Sequence, residues 1–557
     1  MKKTLFVVII LAGCFGCSLF QEEAQKIDRL ALEHTEELTE SLANQLLELS
    51  VAALQKDREA LTAFFAASLS SPPFPSTPQD EKSTVKWLSE HGWQLESAEG
   101  GPTARRDYLE SFSAFLDHFQ SIEDTRFKVK SSSITEDGKT ATGILKFFLV
   151  GRDPEGRREW VQGLSDFQAH PQGDEKWQIA TLTVTEIRSQ IAGEELFDEV
   201  GGPLGFTASD PPFLNKPKGL YRFHGASAAD VNNDGFLDLF SPGIDRNFLY
   251  LNQGDGTFQE AAARVGLEIT PQVGTAGLFL DYDKDGDVDL FISSDGNQML
   301  FQNRLVPDGN LHFLDVSEQA GVSVPREGFS SAAADVNRDG WPDIYVTSYS
   351  KGEGPPEPMI GATNGSPNLL FINQGNGRFS ELAGEWGVND TRWSYATAFA
   401  DVDDDGDLDL YVANDYAAGS PLYWNQLAQG EERFIEAVPE QGAVDMGYGM
   451  GVSFGDYDND GDLDLHVTNM SSTAGNRILD RLFPGERADE FLLKKLAAGN
   501  SLYENLGNGQ FRNRSAEAGP FVAGWAWGGG FIDFDNDGLE DLYTPNGFAS
   551  GKTMKDT

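Results

Sequence analysis

Residues 281–290 read DYDKDGDVDL, five aspartates within nine positions, and run directly into the apolar FISS. Carboxylates this close repel one another unless a cation lies among them. Asp281, Asp283 and Asp285 alternate, Gly286 permits a tight turn, the carbonyl of Asp287 can turn inward and Asp289 closes the shell. This is the 1-3-5-7-9 oxygen pattern of a calcium loop. Hard oxygen donors favour Ca²⁺ over zinc or copper, which take His or Cys. A single Asp- and Gly-rich run also reads as an ordinary solvated turn, so recurrence decides between the two.

The stretch recurs as DVNNDGFLDL from Asp230, DVNRDGWPDI from Asp335, DVDDDGDLDL from Asp401, DYDNDGDLDL from Asp456 and DFDNDGLEDL from Asp533, at intervals of 51, 54, 66, 55 and 77 residues. Periods of this order mark a repeat architecture. The predicted ligands are Asp230, Asn232, Asp234 and Asp238; Asp281, Asp283, Asp285 and Asp289; Asp335, Asn337, Asp339 and Asp343; Asp401, Asp403, Asp405 and Asp409; Asp456, Asp458, Asp460 and Asp464; and Asp533, Asp535, Asp537 and Asp541. Together they call for about six structural Ca²⁺ ions.

Small and apolar residues precede each loop, as in GASAAD (225–230) and GVSFGD (451–456), and a β-rich run such as DLFISS or DLYVAN follows it. A second signature comes later: NFLYLNQGDGTFQEAAARVGL (247–267), NLLFINQGNGRFSELAGEWGV (368–388) and NSLYENLGNGQFRNRSAEAGP (500–520). Each holds an apolar strand, an Asn-Gly or Asp-Gly turn and another strand, which is hairpin chemistry. One repeat thus contains about four short strands and one loop, the content of a β-propeller blade. The expected fold is mainly β, with a propeller of six or seven blades over 196–557 and a helical insertion near 475–499 in the longest interval.

These motifs resemble the FG-GAP or VCBS repeats of integrin-type propellers, and GWAWGGGFIDFDNDGLEDLYTPNG (524–547) is similar to the last repeat of the cartilage acidic protein (ASPIC/UnbV) family. The resemblance implies a calcium-stabilised extracellular propeller that binds other molecules. LFDEVGGPLGF (196–206) resembles the closing strand of a repeat, so pairing of terminal strands is expected to close the ring.

The chain has 557 residues and a net charge of −46, which argues against nucleic acid as a partner. Its start, MKKTLFVVIILAGC, has a basic end, a short apolar run and Leu11-Ala12-Gly13-Cys14, which resembles a bacterial lipobox. Residues 1–13 then form a signal peptide and Cys14 carries the lipid, because the apolar run is too short to span a bilayer comfortably. The protein is expected to be exported and held by this anchor in the bacterial cell envelope, at the outer membrane or cell surface. Cys14 and Cys17 are the only cysteines. The folded body therefore has no disulfide, and calcium takes the stapling role.

Residues 14–70 read as a helical stalk and the first helix of an N-terminal domain, with Leu38, Leu42, Leu46 and Leu49 at helical spacing. A breaker, SLSSPPFPSTP, ends this part. Residues 71–195 alternate like an α+β domain similar to nuclear transport factor 2. Asp117 and His118 lie on a predicted helix and read as ordinary helix residues. The seven histidines (34, 91, 118, 170, 224, 312, 466) show no metal spacing, and there is no GxSxG, P-loop or usable Cys nucleophile, so no catalytic residue is assigned.

Aromatics recur shortly before the loops: Phe223, Phe329, Trp393, Tyr395, Tyr448, Trp525 and Trp527. Trp393, Tyr395, Tyr448, Trp525 and Trp527 are the candidate ligand surface, since aromatic faces stack on sugars and apolar side chains; packing between blades is the competing role. The expected function is a surface-anchored binding or adhesion protein for a polysaccharide or an extracellular protein. The alternative is an extracytoplasmic carbohydrate-active enzyme, a lyase or hydrolase, drawing on basic residues such as Arg222, His224 or Arg392. A structural envelope protein is a third reading. Mass spectrometry of the mature protein is expected to find diacylglycerol on an N-terminal Cys14, and an unmodified Cys14 would remove the anchor.

Overall fold

The computed structural model describes residues 29–545 except 86–87, 96–102, 136, 173–175, 194–199, 207–224, 244–245, 351–355, 359, 417, 472–491, 497, 508 and 519–523. The signal peptide, Cys14, Arg222, Phe223, His224 and most of the expected 475–499 insertion lie outside these residues; of the insertion, a short helix at Leu492–Lys495 is described. The chain divides into two compact units, residues 17–198 and 199–550.

In the first unit, helices α1 (Arg29–Leu54), α2 (Arg58–Ala63) and α3 (Arg105–Asp117) accompany an antiparallel sheet. Its strands are β1 (Lys82–Val85), β2 (Leu88–Gly92), β3 (Ser121–Ile134), β4 (Ala141–Arg152), β5 (Arg158–Pro171) and β6 (Trp177–Ala192), in the order β1-β2-β6-β5-β4-β3. The leucine spacing of α1 places Leu42, Leu46 and Leu49 on one buried face, against Phe112 and Phe115 of α3 and Phe127, Phe147 and Val161 of the sheet. Lys56 turns left-handed after α1, and Asp57 caps α2 by accepting the Glu59 and Ala60 N–H groups, both at 3.0 Å. Along β5 alternate residues face inward, among them Glu159, Val161, Ser165 and Phe167. Glu159 is the anomaly in that row, a carboxylate with no exposure.

The second unit is a series of antiparallel sheets. Ser227–Ala229, Asp238–Ser241, Phe248–Asn252 and Phe258–Glu260 make the first. Val273–Leu280, Asp289–Asn297, Met299–Asn303 and Phe313–Asp315 follow, then Pro325–Ala334, Asp343–Ser348, Leu369–Asn373 and Phe379–Glu381. These two groups join where Asp295, Gly296 and Asn297 pair with Glu327, Arg326 and Pro325. A fourth group (Ser394–Ala400, Asp409–Asn414, Leu422–Asn425, Phe434–Glu436) and a fifth (Gly449–Gly455, Asp464–Asn469, Ser501–Asn505, Phe511–Asn513) repeat the pattern, and Gly530–Ile532 pairs with Asp541–Tyr543. Every loop of the DxDxDGxxD type joins the first strand of its sheet to the second, and the hairpin signatures supply the third and fourth.

Apolar clusters lie between successive sheets. Leu280, Phe291 and Leu300 pack on Ile344, Val346 and Phe371, and Tyr345 and Leu370 pack on Leu410, Val412 and Tyr423. Strands buried on both faces explain runs such as DIYVTS, in which every residue is buried. This mainly β, propeller-like arrangement is the fold class expected from the repeats. The described part of 196–206 differs from expectation: Gly201–Gly205 form turns, and the Leu204 carbonyl accepts the Phe258 N–H at 2.7 Å in the first sheet. Its Gly-Gly-Pro run favours a turn over a strand.

From the second sheet to the fifth, an Asn at the end of the third strand staples its sheet to the preceding one. The amide Nδ2 of Asn303 donates to the Val231 carbonyl at 2.8 Å, Asn373 to Tyr282 at 2.8 Å, Asn425 to Val336 at 2.9 Å and Asn505 to Val402 at 2.8 Å. All four asparagines are buried. Asn373→Ala leaves the carbonyls of Tyr282 and Pro342 without this donor, and is expected to lower the unfolding free energy by about 1–3 kcal/mol. Urea denaturation followed by tryptophan fluorescence reads the shift, and an unmoved midpoint would deny the staple any energetic role.

Candidate functional site: carboxylate loops and an aromatic cluster

Two left-handed residues bend each loop. The fourth position is Asn233, Lys284, Arg338, Asp404, Asn459 or Asn536, with φ between 56° and 58°, and the sixth is always glycine, with φ of 98° at Gly286. Position 1 holds the turn: Asp281 accepts the N–H groups of Asp285 at 3.1 Å and Gly286 at 3.2 Å. In four loops three carboxylates each offer an oxygen within 4.8 Å of the others: Asp281, Asp283 and Asp285; Asp401, Asp403 and Asp409; Asp456, Asp458 and Asp460; and Asp533, Asp535 and Asp537. In the two loops with Asn at position 3, its amide donates instead to position 5, Asn232 to Asp234 at 2.8 Å and Asn337 to Asp339 at 3.0 Å, and Asp230 and Asp335 hold the turn as Asp281 does.

Position 9 is the most buried. Asp289 accepts the N–H of Tyr282 at 3.1 Å on one oxygen and that of Asn303 at 2.8 Å on the other. Asp238, Asp343, Asp409 and Asp464 repeat the arrangement. Burial pushes the Asp289 carboxyl up to about 9, with the nearby Asp283 charge adding to it, Asp409 to about 8, and Asp343 and Asp464 to about 7. Burial also raises Asp541 of the sixth loop. Position 7 carries a further carboxylate in three loops, Asp287, Asp407 and Asp462. Asp287 accepts the Val306 N–H at 2.6 Å and Asp407 the Ala428 N–H at 2.7 Å, both pushed up to about 6 by burial, and burial with the nearby Asp460 charge raises Asp462.

Asp283 Oδ1 and Asp401 Oδ1 are buried oxygens with no hydrogen-bond donor. An acceptor in that condition suits a hard cation, and the all-oxygen donor set suits calcium.

Neighbouring loops touch through position 4. Asn233 Nδ2 donates to the Gly286 carbonyl at 3.1 Å, the Lys284 ammonium lies 4.7 Å over the Trp341 ring, and Asn459 Nδ2 reaches the Gly538 carbonyl at 3.4 Å.

The aromatic positions sit at the opposite end of the first strands. Trp393 and Tyr395 are 6% and 8% exposed, Tyr448 and Trp527 are half-buried, and Trp525 is 38% exposed. They form one connected cluster with Phe329, Tyr349 and Tyr416: Tyr349 lies 4.9 Å from Trp393 and 5.5 Å from Tyr395, Tyr416 lies 6.0 Å from Tyr448, and Trp527 lies 6.1 Å from Tyr395 and 6.0 Å from Trp525. Tyr349 and Tyr416, which sequence spacing did not single out, follow second strands and fill the cluster from the side. Tyr349 donates its hydroxyl to Asp415 at 2.6 Å, and burial pushes Asp415 up to about 6. The Trp393 indole donates to Asn364 at 2.9 Å. Arg392 is committed elsewhere, to Asp390 at 2.7 Å, Glu436 at 3.0 Å and the Tyr423 hydroxyl at 2.9 Å. Asp117 forms an exposed ion pair with Arg58 at 2.6 Å.

The FG-GAP-like repeat pattern matches residues 221–279, 281–346, 359–412, 401–467 and 487–544. Cartilage acidic protein 1 of Mus musculus is 28% identical over 249 residues, 44% of this chain and 33% of that protein; the Homo sapiens protein is 27% identical over 249 residues, 44% and 32%. The chain thus spans about a third of the length of these relatives. Among solved structures, an Agrocybe aegerita lectin described as recognising non-reducing terminal N-acetylglucosamine shares 13% identity, covering 75% of this chain and 86% of that one at a TM-score of 0.32. A nuclear transport factor 2-like protein from Salmonella enterica shares 9%, covering 27% of this chain and 92% of that one at a TM-score of 0.20. Five repeats in register over more than half of its length make the chain a member of the FG-GAP-like repeat family.

Proposed function

We propose that the protein is an exported, calcium-completed binding module whose aromatic cluster contacts a polysaccharide or an extracellular protein. Six ions would be held by positions 1, 3, 5 and 9 of the loops that begin at Asp230, Asp281, Asp335, Asp401, Asp456 and Asp533. Bound Ca²⁺ supplies positive charge that offsets carboxylate repulsion. The unpartnered oxygens of Asp283 and Asp401 carry this reading. The half-open Trp525, beside Trp527 and above a packed floor of Trp393 and Tyr395, supports an aromatic contact surface. Anchoring through lipid on Cys14 would hold the module at the envelope. The ion-paired Arg392 supports binding over the lyase or hydrolase alternative, because its guanidinium is already satisfied by two carboxylates.

The carboxyls with raised pKa give a pH test. A carboxyl whose folded pKa exceeds its unfolded value binds more protons when folded, so it stabilises at low pH and loses that contribution as pH rises through the folded value. With calcium chelated, the melting temperature should therefore fall as pH rises toward about 8 to 9, where Asp409 and Asp289 ionise. Excess calcium should raise the melting temperature most at the alkaline end, because the ion needs the ionised form. Scanning calorimetry across that range checks both, and a chelator without effect at any pH would contradict calcium completion.

Incubation with a polysaccharide panel in calcium, scoring retained protein and newly released sugar ends together, tests the ligand. Retention without release, abolished by chelator, is the expected result; release would favour the enzyme. Trp525→Ala should weaken retention about two- to tenfold with little change in melting temperature, given the stacking energies of aromatic rings. Trp393→Ala should chiefly destabilise, by about 3–5 kcal/mol.

A further inference from the structure

Glu159 is the one charged residue in the inward row of β5, and two histidines distant in sequence close on it. His91 of β2 places Nε2 3.0 Å from Glu159 Oε1, and His118, just past α3, places Nε2 2.7 Å from Oε2. Side-chain exposures are 4% for His91, 14% for His118 and 0% for Glu159. One donor atom from each lies within 4.8 Å of the other two. The spacing of the histidines along the chain shows no metal pattern, and it is the fold that brings these three side chains together.

Hydrogen-bond accounting makes the cluster incomplete. His91 Nδ1 lies 2.9 Å from the Gly92 carbonyl, an acceptor only, so Nδ1 carries the ring proton. If the ring carries only that proton, Nε2 turns a lone pair toward a carboxylate oxygen 3.0 Å away. Two acceptors at that separation need a positive charge between them. Arg157, nearby in sequence to Glu159, is committed to Glu81 and Asp153, each at 2.9 Å. What remains is an extra proton or a metal ion.

The surroundings would suit a metal ion. Two imidazole nitrogens and a carboxylate are the three-ligand set of open zinc sites, with a fourth position left for water. The Gly92 carbonyl fixes the His91 tautomer from outside. Trp93 Nε1 donates to Ser189 Oγ at 2.8 Å, and the Ser189 hydroxyl bonds Glu159. Apolar rings enclose the group: Trp93 lies 5.0 Å and Phe119 4.8 Å from the His118 ring. Outer partners that orient ligands and a dry shell are what such ions require.

The geometry points to a transition-metal site formed by His91, His118 and Glu159, taking Zn²⁺ or a divalent ion of similar preference and chemically separate from the all-oxygen loops. The ion enters beside His118, the most exposed of the three ligands.

The test uses the full-length purified protein in excess calcium, so that hard-oxygen sites are filled. After addition of Zn²⁺ and gel filtration, elemental analysis should find one zinc per chain, and Co²⁺ in its place should give the intense visible bands of a four-coordinate site. The ¹⁵N shifts of His91 and His118 Nε2 should move when zinc is added. Glu159→Gln and His118→Ala should each weaken zinc binding at least tenfold, since even outer-shell changes at such sites cost about 10- to 100-fold. Wild-type protein that retains no zinc would overturn the site and leave a proton in the gap. Zinc retained with unmoved imidazole shifts, or retained equally by both folded variants, would also overturn it, placing the ion elsewhere. The wild-type measurements decide the matter even where a variant fails to fold.

Discussion

Everything in the repeat unit hangs on a carboxylate that is buried where a carboxylate is costly. The ninth residue of each loop, Asp289 for one, is the first residue of the second strand. One oxygen takes the N–H of loop position 2 and the other takes the N–H of the Asn that ends the third strand. A single side chain thus ties the loop and two strands together. Burying it raises the free energy of its charge, and the remaining loop carboxylates raise it again. A divalent ion among these carboxylates would reverse the second effect without disturbing the backbone bonds, so the residues that shape the loop are also the ones that could hold an ion.

Contacts between repeats follow from the same geometry. Because the second strands are buried on both faces, each sheet completes its core only against the next. The asparagine staples and the position-4 bridges then add polar links across that apolar seam. Lys284 shows how far the geometry dictates the residue's use: a left-handed backbone turns its side chain away from its own loop, and the Trp341 ring of the next loop receives it.

What could be read from the sequence was whatever lies close along the chain. The loops are legible because their ligands fall within nine residues, and the hairpins because their turns are short and glycine-rich. The role of Asn373 and its counterparts was hidden in plain view: within a signature such as INQGNG (372–377) the asparagine reads as turn chemistry, whereas its amide bonds the Tyr282 carbonyl in the preceding repeat. Recurrence located the aromatic positions but not their exposure, since Trp393 is covered by Tyr349 and Tyr416, which arrive from separate connections. His91 and Glu159 stand 68 residues apart on strands separated in the sheet by β6, so only the fold brings them together.

The staples all run one way. Val231, Tyr282, Val336 and Val402 receive their amide donors from residues 72, 91, 89 and 103 positions later. During synthesis, then, the N–H of a loop's second position can bond within its own loop, whereas its carbonyl gains this amide donor only after the following repeat has been translated. Each of these carbonyls thus depends on chain that lies after it, so the staples can be completed only in the order in which the repeats are made.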